Sequence, residues 1–208
     1  MKLGVALAVA GVAVLGGAFA TGLWQIPVIL IMNQMDTTAF RVDGSRLVMN
    51  GEINSKTLDQ FEAVIADHPQ ITTLFEGHVP GSLDDDTMIA LAYRVRDLGL
   101  KTELGAESEI YSGGVDLFLA GVERRATEGA VIGVHSWSDG MKDAIEYPRD
   151  APEHEANRAY VEAMLGDDAF YWYTIEAAPA AGIHIMTREE IEKYGLLTEP
   201  MRKAQTGE

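Results

Sequence analysis

Between residues 46 and 135, short apolar runs typical of strands alternate with amphipathic segments typical of helices. The predicted strands are "RLVMNGEI", "ITTLFEG", "KTELG" and "AVIGVH", at residues 46–53, 71–77, 101–105 and 130–135. The predicted helices are residues 57–69 and 83–99. Strands that alternate with helices at this spacing form βαβ units, whose strands lie parallel in one sheet. The chain is therefore predicted to have an α/β fold with a mostly parallel sheet.

Both predicted helices carry end signals. Thr57 and Gln60 have the spacing of a capping box, and Pro69 would end the first helix. The second helix has acidic residues in its first turn and Gly99 in the position of a C-cap. A further helical stretch at 160–181 is apolar enough to suggest a surface for self-association.

Residues 1–32 contain no acid and only one base, Lys2. Because about 20 apolar residues span a bilayer, this segment is predicted to meet a membrane as a transmembrane helix or signal peptide. The "AFA" at 18–20 suits signal cleavage, whereas Trp24 and the apolar run after it favour a retained anchor. Either outcome places the remainder outside the cytoplasm, anchored to the cell membrane or secreted to the periplasm. Residues 33–45 are interpreted as a linker or an edge hairpin, and 46–208 as the folded domain.

The exported part is strongly acidic, with 32 acids against 15 bases outside residues 1–32. Such a surface repels nucleic acid, so no nucleic-acid partner is expected. The chain has no cysteine, which excludes disulfides and thiolate metal sites. "HEANR" at 154–158 lacks the second histidine of a zinc motif, and "LDDDT" at 83–87 lacks the ligand spacing of a calcium loop. We therefore expect no metal and no cofactor.

Three short motifs could together perform acyl transfer, namely "VPGS" (79–82), "YSGG" (111–114) and "VIGVHSW" (131–137). That reaction needs a nucleophile, a base and N–H groups aimed at the developing oxyanion. Each motif also has a structural interpretation. Ser112 has the position of a helix N-cap, and His135 that of a structural hydrogen-bonding residue at a strand end.

The order and spacing of these motifs resemble the proteolytic subunit of Clp protease and the related signal peptide peptidase A, in the ClpP/crotonase superfamily. In that family a Pro-Gly-Gly turn precedes a helix, the nucleophile opens an apolar helix, and a histidine ends the next strand. "VPGS" matches the first element except at Ser82, and "YSGGVDLFLAG" (111–121) and "AVIGVHSW" (130–137) match the next two. "REEIEKYGLL" (188–197) is similar to a C-terminal motif of the family. The resemblance covers about residues 46–198.

The resemblance implies a ClpP/crotonase-like spiral of βαβ units and a serine hydrolase, most simply a peptidase acting on an extended peptide or protein. Ser112 would be the nucleophile and His135 its general base. Gly81 and Gly113 would supply the oxyanion-hole N–H groups. The family also implies a homo-oligomer.

The third member of a catalytic triad is not apparent. Where the family has an aspartate, this chain has Ile183 beside His184. His184 could orient His135, an acid from elsewhere could do so, or the site is a Ser-His dyad. The acids considered are Asp139, Asp167, Asp168 and Glu176. The alternative function is a non-catalytic binding or scaffolding protein of the same fold, while an acyl-CoA enzyme is disfavoured by the acidic surface. The aromatic run 170–173 is interpreted as core or interface packing, or as the wall of a substrate cleft.

Overall fold

The structure is a computed structural model that describes residue 35 and residues 37–204. The anchor or signal segment predicted for residues 1–32 lies outside the described residues. In the described part of the chain, no helix is both long enough and apolar enough to cross a bilayer.

The described chain contains seven strands and six α-helices. The strands are β1 Thr38–Asp43, β2 Arg46–Gly51, β3 Thr73–Val79, β4 Lys101–Tyr111, β5 Arg124–Ala126, β6 Val131–Val134 and β7 His184–Ile185. The helices are α1 Thr57–Asp67, α2 Asp85–Asp97, α3 Gly113–Leu119, α4 Glu155–Leu165, α5 Ala169–Ala177 and α6 Arg188–Lys193. Two short 3₁₀ turns, Ala144–Glu146 and Pro152–His154, lie between β6 and α4.

All seven strands belong to one sheet with the order β1-β2-β3-β4-β6-β7, in which β5 also pairs with β4. The strands β2, β3, β4, β5 and β6 run parallel to their neighbours in this set, and only the edge strands β1 and β7 are antiparallel. The mixed α/β architecture with a mostly parallel sheet is therefore confirmed. Both antiparallel strands lie at the edges, where a hairpin can attach without a crossover helix.

The segment before residue 46 extends the sheet. Residues 38–43 form β1, which pairs with β2 from Thr38 opposite Gly51 to Asp43 opposite Arg46. Of the two interpretations of 33–45, a linker or an edge hairpin, the structure has the hairpin, and the sheet begins at Thr38 rather than at residue 46.

The capping box predicted at Thr57 is absent. Lys56 is the N-cap of α1 without a side-chain cap, and Thr57 is the first helical residue. The Thr57 hydroxyl instead accepts a hydrogen bond from the Asn54 N–H at 2.9 Å and lies 2.8 Å from the Thr38 hydroxyl. These contacts connect the β2–α1 loop to β1. The Thr57 hydroxyl therefore stabilises tertiary packing and does not cap the helix as the local sequence had predicted.

Helix α2 has the predicted ends. The Asp84 side chain accepts from the Thr87 N–H at 3.0 Å, which caps the first turn. Gly99 follows the C-cap Leu98 with a φ of +65°, the left-handed conformation that glycine adopts without strain. Helix α2 packs its buried face, which includes Met88, Leu91 and Val95, into the main core.

Residues 160–181 do not form one long helix. Helix α4 ends at Leu165, and Gly166 closes it with a φ of +95° before α5 begins at Ala169. Tyr160, Phe170 and Tyr171 are all buried in the chain's own core, so this stretch does not provide the single apolar face proposed for self-association.

Candidate active site

Ser112 lies at the junction between β4 and α3 in a strained backbone conformation. Its φ of +51° and ψ of −123° place it among conformations that residues with a Cβ rarely adopt. In the described part of the chain it is the only non-glycine residue with positive φ. The Ser112 side chain does not cap α3, although its carbonyl accepts from the Val115 N–H at 2.8 Å. The structure therefore contradicts the side-chain capping interpretation and leaves the hydroxyl without a hydrogen-bond partner among the described residues.

Parallel pairing of β4 with β6 brings His135 to the same sheet edge. Tyr111 is in register with Gly133, and the Ser112 N–H donates to the Gly133 carbonyl at 3.0 Å. His135 directly follows the last residue of β6. Carboxyl ends of adjacent parallel strands meet at one edge of a sheet, which is where α/β proteins commonly form their sites. Ser112 and His135 accordingly line the same cleft.

The hydrogen bond of the His135 ring defines its tautomer. Nδ1 lies 2.8 Å from the carbonyl oxygen of Ser136. Because a carbonyl oxygen only accepts, Nδ1 must carry the proton. In the neutral ring Nε2 is then the atom with the free lone pair, which is the form a general base requires. His135 and Ser112 make no direct hydrogen bond here, and catalytic pairs commonly close this bond only with substrate in place.

Gly81 and Gly113 stand beside Ser112, and each position favours glycine for a different reason. Gly81 has a φ of +149°, which residues with a Cβ rarely adopt, although a Cβ there would make only an ordinary 3.5 Å contact with the Ser112 Cβ. A Cβ on Gly113 would lie 2.5 Å from the Ser82 Cβ, which is too close. Among the hydrogen bonds of residues 37–204, neither glycine N–H has an acceptor. The "VPGS" turn and the start of α3 therefore present two unpaired N–H donors next to the serine.

His184 is held away from this cleft by other contacts. It lies on β7 opposite Val134, its Nε2 is 3.0 Å from the Glu190 carboxylate, and the edge of its ring faces Tyr173. A hydrogen bond from the backbone of Thr187, and then that of His184, lower the pKa of Glu190 to about 2. His184 makes no contact with the His135 ring in the described hydrogen bonds and ring pairs.

The four acids considered for the same role also have other partners. Asp139 accepts from the Tyr147 hydroxyl, which with two backbone N–H groups lowers its pKa to about 2. Asp167 accepts a hydrogen bond from the Ala169 N–H at 2.9 Å, Asp168 pairs with Arg158, and Glu176 pairs with Arg149. In the described chain the partner of His135 Nδ1 is a backbone carbonyl and not a carboxylate.

Asp116 also lines the cleft, and sequence reasoning missed it. It lies on α3, four residues after Ser112, which precedes the helix in a non-helical conformation. The available signal was a single acid within the otherwise apolar segment "GGVDLFL". Burial, with a smaller contribution from the charge of Asp85, raises the pKa of Asp116 to about 7.

The walls of the cleft are apolar and aromatic, and include Val115, Val161, Trp137, Tyr160 and Tyr171. Tyr171 comes from the run 170–173, so this run supplies both core and cleft wall. The Trp137 Nε1–H donates to the Tyr171 hydroxyl at 3.0 Å, and that hydroxyl lies 2.7 Å from His154 Nδ1. His154, which begins "HEANR", is thus enclosed by aromatic rings. Within the described chain no group of three or more histidine, aspartate or glutamate side chains is placed to hold a metal ion.

Searches for relatives by sequence gave no matching family model and no matching curated protein. Solved structures are similar in fold. The 1510-N membrane-bound stomatin-specific protease, in a mutant form in complex with a substrate peptide, superposes with a TM-score of 0.52 at 20% identity, covering 76% of this chain and 73% of that chain. A second mutant of that protease gives a TM-score of 0.52 at 19% identity, with coverage of 76% and 77%.

An enoyl-CoA hydratase/carnithine racemase from Magnetospirillum magneticum is also similar, with a TM-score of 0.51 at 14% identity, covering 82% of this chain and 69% of that chain. At such identities the likeness shows the fold alone. The stomatin-specific protease and the enoyl-CoA hydratase/carnithine racemase share this fold, which confirms the predicted mixed α/β architecture with a mostly parallel sheet.

Proposed function

We propose that this chain, which has the fold of the ClpP/crotonase-like superfamily, is a serine-type peptidase with a Ser112–His135 dyad. One observation carries the proposal. A strained serine with a free hydroxyl shares a cleft with a histidine whose Nδ1–H is already bonded to the Ser136 carbonyl, so that Nε2 is the basic atom. Strain of this kind is kept where the surrounding structure enforces it, and it is concentrated at functional sites.

In the proposed reaction, His135 Nε2 takes the proton of the Ser112 hydroxyl as Oγ bonds to the carbonyl carbon of the peptide. The carbonyl π electrons move to oxygen, and the N–H groups of Gly81 and Gly113 stabilise that oxyanion. Collapse of the intermediate breaks the C–N bond, and the proton on Nε2 goes to the leaving amine. Water then attacks the Ser112 ester by the same proton route, which releases the acid and restores the serine.

The Ser136 carbonyl takes the place of the triad aspartate as the group that orients His135. A neutral carbonyl selects the same tautomer as a carboxylate would, but it stabilises the imidazolium less. We therefore expect slower turnover than in an enzyme with a full triad. This arrangement needs neither His184 nor any of the four acids considered above.

A peptide or protein is the substrate we favour. One of the similar structures is a protease in complex with a substrate peptide. The edge strand β7 has only two residues and begins opposite Val134, which lines the cleft, and an extended peptide can bind such an edge by main-chain hydrogen bonds. The apolar segment at residues 1–32 further favours an exported, membrane-anchored protein, and self-association remains part of the proposal.

A fluorophosphonate probe, which modifies activated serines, tests the catalytic claim. The full chain is expected to be labelled, and Ser112→Ala should abolish labelling. His135→Asn should reduce the rate of labelling by at least about 100-fold, because a general base contributes about 10²–10⁴ in rate. His78→Asn, at an exposed position on β3, is the matched control and should label normally.

Absence of labelling in chain shown to be folded by circular dichroism would contradict the proposal. The alternative function, a non-catalytic binding or scaffolding protein of this fold, would then be preferred. Full labelling of Ser112→Ala would show that another residue reacts, and would equally rule out Ser112 as the nucleophile.

A further inference from the structure

The Asp116 carboxylate has no partner in the described chain. The Tyr160 hydroxyl donates at 2.6 Å to the Asp116 main-chain carbonyl, not to its side chain. No described hydrogen bond or ion pair includes the Asp116 carboxylate, although the side chain is largely enclosed. A carboxylate removed from bulk water without a partner is costly, so such a group in a cleft is a candidate for binding a ligand.

The cleft supplies no compensating positive charge. Asp85, which is exposed, also lines the cleft, and its carboxylate accepts only from the Ser82 hydroxyl, at 2.7 Å, in the described chain. No lysine or arginine is among the residues that line the cleft. Two carboxylates in a largely apolar enclosure attract a cation and repel an anion.

The size of the cleft limits the shape of the group that enters. The cleft is open on one side and has an accessible volume of about 50 Å³, which is room for about four groups the size of a water molecule. A narrow unbranched chain fits, since its methylenes would contact Val115 and Val161 while its tip reaches the carboxylate.

We propose that Asp116 makes this cleft a specificity pocket for a lysine-like side chain, so that the chain cleaves peptides after a residue bearing a primary ammonium group. This inference rests on the proposed peptidase function. Ser112, Gly113 and Asp116 all line this cleft, so in this proposal it receives the side chain of the residue whose carbonyl is attacked. An ammonium at its end would form with Asp116 the charge-assisted hydrogen bonds that the carboxylate now lacks.

The test compares two peptide substrates that differ in one side chain. One has lysine and the other norleucine before the scissile bond, so the pair differs in the terminal ammonium while the length is nearly the same. Charged hydrogen bonds contribute about 1.5–3 kcal/mol, which corresponds to about 10- to 100-fold in kcat/KM in favour of lysine for the full chain. Asp116→Asn should bring the lysine-to-norleucine ratio close to one.

Asp86→Asn is the matched control. Asp86 is exposed in the first turn of α2, outside the cleft lining, and its replacement removes the same charge. This variant should keep the ratio of the unmodified chain. A ratio near one in the unmodified chain, or a lysine preference that survives Asp116→Asn, would overturn the assignment of Asp116.

Failure of the peptidase proposal can be distinguished from failure of the proposal that Asp116 binds a lysine side chain. If neither peptide is cleaved and the fluorophosphonate probe does not react, the binding of both peptides to Ser112→Ala is measured by fluorescence anisotropy. Tighter binding of the lysine peptide that is lost in the Ser112→Ala, Asp116→Asn double variant supports the pocket. Equal dissociation constants for the two peptides reject it.

Discussion

At the scale of single residues, the conformation of Ser112 is the least expected feature of the chain. A serine at φ +51° and ψ −123° has its Cβ close to the backbone, and such conformations cost about 1–3 kcal/mol. This conformation persists because hydrogen bonds fix the Ser112 backbone on both sides. The Ser112 N–H is bonded to Gly133 on one side, and its carbonyl starts α3 on the other.

Replacing Ser112 by glycine and by alanine should separate strain from chemistry. Both variants lose the hydroxyl, so neither should react with the fluorophosphonate probe. Ser112→Gly should be more stable than Ser112→Ala by about 1 kcal/mol or more, because only alanine retains the Cβ that opposes this conformation. Urea denaturation of the two variants checks the difference. A less stable glycine variant would show that the conformation carries no strain.

Glu76 is a second unusual residue, because it is fully buried and has no side-chain partner. It lies on β3 in register with Met49 of β2 and Leu104 of β4, and both of its carboxylate oxygens lack a hydrogen bond in the described chain. Burial raises the pKa of Glu76 well above that of a free glutamate. The folded chain therefore holds this carboxyl in its neutral form over a range of pH in which the unfolded chain ionises it.

Glu76→Gln should remove a pH-dependent loss of stability. Below about pH 4.5 both states carry the proton, and the pKa shift has no effect. As pH rises above 4.5, the unfolded chain releases the proton while the folded chain keeps it, so the free energy of unfolding falls by about 1.4 kcal/mol per pH unit until the folded pKa is reached. The advantage of Glu76→Gln over the unmodified chain should therefore be larger at pH 7 than at pH 5.

Urea denaturation at the two pH values measures this difference. Glu107→Gln, at an exposed position on β4, is the control and should change little at either pH. The interpretation of Glu76 would be wrong if the stability difference between Glu76→Gln and the unmodified chain were the same at pH 5 and pH 7.

At the scale of elements, the C-terminal motif "REEIEKYGLL" has a structural role in the described chain. Gly195 and Leu196 follow α6, and their carbonyls accept from the Arg124 guanidinium at 3.1 and 2.7 Å. The Arg124 side chain also donates to the Gly121 carbonyl at 3.2 Å. The short strand β5 would have few contacts by itself, and this buried arginine connects it to both the α3 end and the C-terminal segment.

Arg124→Lys should destabilise the chain by about 2–4 kcal/mol. Lysine retains the charge but cannot donate in three fixed directions, so at least two carbonyls lose their charged donor. Arg125→Lys is the control. Arg125 pairs at the half-exposed edge with Glu123 and Glu199, where an ion pair is worth about 1 kcal/mol or less. Chemical denaturation measures the free energy of unfolding of both variants. Equal losses of stability in Arg124→Lys and Arg125→Lys would contradict the role given to Arg124.

At the scale of the whole molecule, the proposed function depends on the order of strands in the sheet. "VPGS" follows β3, Ser112 follows β4 and His135 follows β6, and these three strands are consecutive neighbours. Their parallel direction puts all three carboxyl ends at one edge. The same edge receives α3, whose Asp116 faces the cleft, and α4 and α5, whose Tyr160 and Tyr171 close it. The five cleft residues named here, which come from four separate parts of the sequence, thus meet because of the topology.

The pattern of the sequence by itself determined the α/β class, most strand positions and the ends of α2. These features depend on periodicity and on local end signals, which act between residues only a few positions apart. The family resemblance of the motifs also predicted that Ser112 and His135 would lie together, and both residues line the same cleft.

Only the tertiary structure decided which partner each polar group finds. The Thr57 hydroxyl, which was predicted to cap a helix, instead forms hydrogen bonds with Asn54 and Thr38. The His184 ring lies within hydrogen-bond distance of Glu190, and the His135 ring bonds to the Ser136 carbonyl. A polar side chain usually has several possible hydrogen-bond partners. Which of them it contacts depends on groups that are distant along the chain and that only folding brings close. The unpaired carboxylates of Asp116 and Glu76 follow from the same cause, because burial is a property of the packed molecule and not of a sequence window.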